Sequence, residues 1–130
     1  KDSIGRVVGR VTFQVINIRN DSKRSYVSLL VNNKSSSRFV VDAVLLRYIE
    51  KGGFLGTKEK SKKRIFPEKV IFSDGRHFAA RSKQKMAFVI SQFGTDKGNL
   101  IIKFQEKNGD RNINIPVPVK KINSSRMLNN

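Results

Sequence analysis

Large apolar residues recur at every second position in short runs, and turn-forming residues punctuate those runs. A period of two puts alternate side chains on opposite faces of an extended chain, so each run reads as a strand with a face to bury. From Val7 to Arg19, residues Val11, Phe13, Val15 and Asn17 share one face, while Thr12, Gln14, Ile16 and Ile18 take the other. Ser25 to Asn32 sets Val27, Leu29 and Val31 against Tyr26, Ser28 and Leu30. Phe39, Val41, Ala43 and Leu45 interleave with Val40, Asp42, Val44 and Leu46, a density that predicts a strand buried on both faces. Three further strands are marked by Met86, Phe88 and Ile90, by Leu100, Ile102 and Phe104, and by Ile113, Ile115 and Val117.

The breaks are as informative as the runs. Asn20-Asp21-Ser22-Lys23, Asn33 to Ser37, Asp74-Gly75 and Gly94 to Gly98 supply side chains that bond their own backbone, or glycines that tolerate left-handed geometry. Asn108-Gly109 is the strongest hairpin signal of the chain. Pro67 removes a backbone donor from the Arg64–Phe72 run and points to an edge or a bulge. Lys51 to Lys63, with Gly52, Gly53 and Gly56 ahead of a charge run, predicts a loop, and Phe78-Ala79-Ala80 is too short to assign. Together these features predict an all-β fold, an immunoglobulin-like antiparallel β-sandwich of seven or eight strands, with a barrel as the alternative. Residues 10–119 form that domain in this reading, 1–9 a lead-in and 120–130 a flexible tail.

At 130 residues the chain has room for one core. Hydrophobic residues at 38% and charged ones at 28% exclude a disordered chain, and no apolar run approaches the ~20 residues of a transmembrane helix. The absence of Cys excludes disulfides, a thiolate nucleophile and cysteine-based zinc sites. His77 follows Asp74 closely enough to test as an acid–base pair, but no nucleophile stands at a readable spacing, and a solvent-facing turn histidine is the simpler reading. Scattered carboxylates beside a single His offer no metal cluster. No catalytic, cofactor-binding or metal residue is therefore assigned, and the expectation is a chain that is not an enzyme and takes no small-molecule substrate. Because it opens at Lys1 without a Met, the chain reads as a mature or trimmed fragment.

Charge is what remains: 27 Lys and Arg against 10 Asp and Glu give a net +17. The candidate basic surface comprises Lys58, Lys60, Lys62, Lys63 and Arg64, reinforced by Lys69, Arg76, Arg81, Lys83 and Lys85. Such a stripe can neutralise phosphates, which makes a nucleic-acid-binding module using residues 58–64 the alternative function; equally, it can guard an exposed strand edge. Stacking on bases needs free aromatics, and Phe13, Phe39, Phe88 and Phe104 fall at core-alternating positions, leaving Tyr48, Phe54, Phe72 and Phe78. Asn20-Asp21-Ser22, Asn33-Lys34-Ser35 and Asn123-Ser124-Ser125 match the glycosylation pattern, but these asparagines read better as turn formers.

The order of segments is also suggestive. A strand ends Ile16-Asn17-Ile18-Arg19-Asn20-Asp21; a second runs Tyr26 to Asn32 into the Asn33-Lys34-Ser35 break; a third, Phe39 to Tyr48, carries Asp42 and Arg47. Lys63-Arg64 and the hairpin Glu106-Lys107-Asn108-Gly109-Asp110-Arg111 follow. Over roughly residues 10–118 this pattern resembles the C-terminal domain of the TraN proteins of Bacteroidetes conjugative transposons, with Ile65-Phe66-Pro67-Glu68 departing from it. The resemblance implies a non-enzymatic structural component of a conjugative type IV secretion apparatus, in the periplasm and associated with the outer-membrane core complex. Its implied partners are other subunits of the apparatus, including a lipoprotein segment, and further copies in a ring, met through strand edges and a positive surface.

Overall fold

The computed structural model describes the backbone of residues 4–52 and 58–125, and the side chains of these residues apart from 51, 52 and 58–61. Ten strands and one helical turn follow one another: β1 (Ile4–Val8), β2 (Val11–Asn20), β3 (Arg24–Asn33), β4 (Phe39–Gly52), β5 (Lys58–Ile65), β6 (Lys69–Phe72), β7 (His77–Phe78), β8 (Ser82–Ser91), β9 (Asn99–Glu106), β10 (Ile113–Pro118) and α1 (Val119–Asn123). They build two antiparallel sheets. One has the order β1-β2-β3-β8-β6; the other has the order β10-β9-β4-β5, with β7 paired to the start of β4 at Phe39 and Val40. The sheets pack face to face as an all-β sandwich, and hydrogen bonding does not close them into a barrel.

The alternation sorts core from surface where strands run regularly. Along β3 every second residue is buried, so its inner face reads Ser25, Val27, Leu29, Val31, Asn33: apolar in the middle and polar at both ends. The inner faces of β8, β9 and β10 follow the expected phase through Met86, Phe88 and Ile90, Leu100, Ile102 and Phe104, and Ile113, Ile115 and Val117. Phe13 of β2 joins the layers. Its ring stacks on Phe104 with centroids 4.5 Å apart and meets Phe39 edge-on at 5.4 Å and Phe78 at 6.2 Å. Such ring pairs add about 1 kcal/mol each beyond the area they bury.

Two bulges change the phase. Pairing of β2 with β3 shifts between Val15 and Asn17, so Ile16 turns to solvent and Ile18, expected opposite Val15, joins the core. Pairing of β4 with β9 shifts between Val41 and Ala43, which ejects Asp42 and passes the buried face from Phe39 and Val41 to Leu46 and Tyr48. An extra residue in one strand opposes a single residue of its partner and reverses every later side chain. β4 is therefore buried mainly on one face, not on both.

Other boundaries differ from expectation because tertiary pairing overrides local signals. The strand number is ten rather than seven or eight. Residues 4–8, read as lead-in, pair with β2 as β1, and the segment read as a loop up to Lys63 supplies β5, which pairs with the long second half of β4. The start of the expected flexible tail is α1, whose Ile122 is buried. Asn20 Nδ2 donates to the Ile122 carbonyl at 2.8 Å, and Ser25 Oγ donates to Asn20 Oδ1 at 2.6 Å, pinning that turn to the end of β2 and β3. Residues 126–130 lie outside the described residues.

Replacing Phe13 by Ala removes the ring that both layers share, and the expected loss of stability is about 3–5 kcal/mol. Val7→Ser on β1, where the side chain is 65% exposed, is expected to stay within ~0.5 kcal/mol of the parent. Urea unfolding followed by circular dichroism measures both.

Candidate functional site

The basic residues whose side chains are described do not form one stripe. The side chains of Lys58 and Lys60 lie outside the described residues, although both backbones belong to β5. Register along β5 opposes Lys62 to Ile49, Lys63 to Tyr48, Arg64 to Arg47 and Ile65 to Leu46. Since opposed residues share a face, Lys62 and Arg64 stand on the outer face of this sheet, and Lys63 on the side of Tyr48. Lys69, Lys83 and Lys85 are exposed on the other sheet, on its outer face. Arg81 sits at φ 55° in the turn between β7 and β8.

Arg76 has a structural duty. Its NH1 donates to the carbonyls of Val41 and Asp42 at 3.3 and 3.2 Å, its own carbonyl accepts from the Val41 amide at 2.8 Å, and its guanidinium lies over the Phe72 ring. It thereby satisfies backbone groups that the bulge at Asp42 takes out of the ladder.

Where β5 crosses to β6, a cleft of about 520 Å³ opens between Lys63–Phe66, the Ser91–Thr95 turn and Tyr48. Phe66 is 73% exposed, and the Arg64 guanidinium lies 5.0 Å from its ring centroid. Tyr48 and Phe93 have centroids 5.7 Å apart, and the Tyr48 hydroxyl donates to Glu50 Oε1 at 2.7 Å and to the Lys97 carbonyl at 3.1 Å. Burial, then the bond to Glu50, pushes the Tyr48 phenol above its ordinary value, so it remains a donor. No carboxylate pairs with Lys62, Lys63 or Arg64 among the described residues. Of the aromatics left over by alternation, Phe78 and Tyr48 are buried, Phe72 packs partly against the core and Phe54 lies outside the described residues. Phe66 and Phe93, which line the cleft beside Tyr48, were not singled out; the signal available was an aromatic directly ahead of Pro67 at a strand end.

At one end of the sandwich the two turn motifs meet. Arg111 makes a forked pair with Glu106, NH2 to Oε2 at 2.6 Å and Nε to Oε1 at 3.0 Å, and its backbone amide donates to Oε1 at 3.1 Å. The same guanidinium donates to Ser35 Oγ at 3.0 Å and to the Arg38 carbonyl at 2.7 Å, and lies 5.3 Å from the Phe39 centroid. Asn33, fully buried, donates to the carbonyls of Ser37 and Phe78 and accepts from Ser35. Asn108 takes φ 56°, and a Cβ at Gly109 would collide with the Glu106 carboxylate. Each fixed letter of Glu-Lys-Asn-Gly-x-Arg apart from the exposed Lys107 thus has a geometric duty. The three asparagines of the glycosylation pattern, Asn20, Asn33 and Asn123, all spend their amides on backbone carbonyls.

His77 is exposed on β7, and no hydrogen bond joins it to Asp74 among the described residues. Comparison with protein-family models, with curated proteins and with solved structures finds no match.

The hydrogen bonds from Arg111 hold the Glu106 carboxyl below its ordinary range, against an opposing effect of burial. A carboxylate depressed in the folded state contributes stability that is fully present above its unfolded value and is lost as pH falls through the folded value. Glu106→Gln is therefore expected to lower stability at pH 7 by about 2 kcal/mol, leaving the partly buried Arg111 without its counter-charge. That deficit should narrow as pH falls below about 4.3, where the parent loses the contribution as well. Urea midpoints of both proteins from pH 7 to pH 3 measure the difference.

Proposed function

We propose that this chain is a non-enzymatic assembly component of a conjugative type IV secretion apparatus, acting through protein–protein contacts in the periplasm beside the outer membrane. One observation carries the reading. The Asn33-Lys34-Ser35 break and the Glu106–Arg111 hairpin, two segments on which the resemblance to TraN C-terminal domains rests, converge on a single cluster through the Arg111–Ser35 bond. Segments lying 76 residues apart that lock together in space give the order and spacing of that pattern a physical basis.

The form of the molecule suits the role. A sandwich with an aromatic core offers a rigid body, and the outermost strands of each sheet present edges that a partner strand can extend. Cations distributed over both outer faces favour acidic partners approaching from several sides, as a subunit packed among other subunits or against a lipoprotein segment requires, while further copies in a ring would meet through strand edges away from these cations.

Immobilised on a resin and exposed to periplasmic extract from cells expressing the neighbouring conjugation genes, the chain is expected to retain at least one secretion subunit. Deleting the gene should abolish transfer of DNA to a recipient. Retention of none of those subunits, together with undiminished transfer in the deletion strain, would sink the proposal.

A further inference from the structure

The β5 side of the sandwich combines three features that do not ordinarily occur together. First, β5 is the last strand of its sheet, with β4 as its one neighbour among the described residues, so its outer row of backbone amides and carbonyls is free to pair. Second, Lys62, Lys63 and Arg64 follow one another there without a carboxylate partner among the described residues, and Arg64 stands directly opposite Arg47. Like charges opposed across two strands are destabilising, and a negative group placed between them reverses the sign of that term. Third, the strand runs into the cleft where Phe66, Phe93 and Tyr48 gather, with Phe66 mostly in solvent.

Lysines alone on an edge strand are a common guard against edge-to-edge association. An exposed phenylalanine at the mouth of a cleft is the opposite of a guard, because it offers apolar surface to whatever pairs beside it. We infer that the β5 edge from Lys62 to Phe66 takes an extended, acidic segment of another protein as an added strand, with one large apolar side chain of that segment seated in the cleft against Phe66, Phe93 and Tyr48. Backbone pairing gives the affinity, the cations select acidic side chains, and the cleft fixes the register. A cleft of about 520 Å³ accommodates an aromatic side chain with room to spare.

A second copy of this chain does not fit the site, because a body of net +17 would set the same three cations against their own kind. Nucleic acid fits less well than peptide. Phe66 is one exposed ring where single-strand binding uses a series, and Lys69, Lys83 and Lys85 lie on the outer face of the other sheet instead of continuing the track. This inference deepens the assembly reading above by giving the partner a chemistry, and it rests on that reading only for the partner being a secretion subunit.

The test uses the whole 130-residue chain and a fluorescein-labelled ten-residue peptide alternating Glu and Val, with one central Phe. Anisotropy is expected to show binding that weakens as salt rises. Lys62→Glu with Arg64→Glu should weaken it at least tenfold, and Phe66→Ala should weaken it severalfold. On the unaltered protein, the same peptide N-methylated at alternate residues cannot complete a strand ladder and is expected not to bind; this arm holds even if a variant fails to fold. Equal binding of the N-methylated peptide, or preference for an oligodeoxythymidine of similar length competing at the same site, would overturn the inference. A secretion subunit retained equally by the parent and by the Lys62/Arg64 double variant removes the inference and leaves the assembly reading intact. Peptide binding at β5 with no secretion subunit retained does the reverse.

Discussion

Phe13 is the one side chain on which both layers of the sandwich depend. It projects from β2 into the space between the sheets and touches Phe39 and Phe104 of the opposite sheet, with Phe78 closing the cluster from β7. Face-to-face packing needs each sheet to bury one face continuously, and large rings at its centre exclude water across the ~10 Å between sheets. Register then follows. Once Phe13 and Val11 are committed inward, Ile18 can reach the core only if one residue of β2 is left over, and the bulge at Ile16 is that residue. β4 meets the same demand at Asp42, and Arg76 is recruited to bond the carbonyls at the irregularity. Both bulges are thus consequences of matching two inner faces, with each strand keeping its partners on either side of the extra residue.

This explains which parts of the architecture were legible in the sequence. β3 with β8 and β9 with β10 pair without interruption, and the extra residues of the two bulges lie on β2 and β4, so along these four strands period and burial coincide and the inner residues could be named from alternation. A bulge is set by the partner strand, whose register is not a local property, so the phases of β2 and β4 could be read only as far as Val15 and Val41. β5 was illegible for a different reason. Lys-Glu-Lys-Ser-Lys-Lys-Arg carries no hydrophobic period and low strand propensity, and it is extended because β4 runs on to Gly52 and supplies a ladder for it. The same holds for Ile4–Val8, whose pairing is a gift of β2. At the candidate site, the charge run was visible but its dispersal was not: whether two cations share a face depends on which strands carry them and in which register. Arg111 was visible only as part of a turn motif, because its partners Ser35 and Arg38 are brought beside it by the fold and not by proximity in the chain.

The two lateral sides of the sandwich treat their edges differently. On one side, β1 lies against β10 of the opposite sheet, so each partly covers the other, and Ile4 and Val8 pack on the core. On the other side, the chain crosses between sheets only through the short 66–68 segment, and the crossing leaves the cleft above Tyr48 and Phe93. Arg24 and Glu68 pair at 2.8 Å near this crossing, both well exposed, an interaction whose weight in stability is small, and the Glu68 amide donates to the Val89 carbonyl at 2.8 Å where the segment enters β6. Closure on one side and opening on the other follow from strand order alone: β1 is tethered to β2 by a tight turn at Gly9 and Arg10, whereas β5 and β6 belong to different sheets and diverge.

A net charge of +17 acts on all of this at longer range. Self-repulsion destabilises a compact state, yet the partnered carboxylates Glu106, Asp21 and Glu68 are held at strand ends and turns rather than among the cations of the outer faces. Those faces are left with unneutralised cations, screened over ~10 Å at 0.1 M salt. The arrangement costs little where cations are well exposed and not directly opposed, as with Lys69 on β6 and Lys83 and Lys85 on β8. Arg47 and Arg64, by contrast, are directly opposed within one sheet, a placement that is unfavourable for like charges. Among the described side chains of β5, only Ile65 joins the hydrophobic cluster, so core packing there gives no reason to concentrate charge. On the inference drawn above, a counter-charge from an acidic partner offsets this opposition, and the opposed pair lies beside the edge that the described strands leave open.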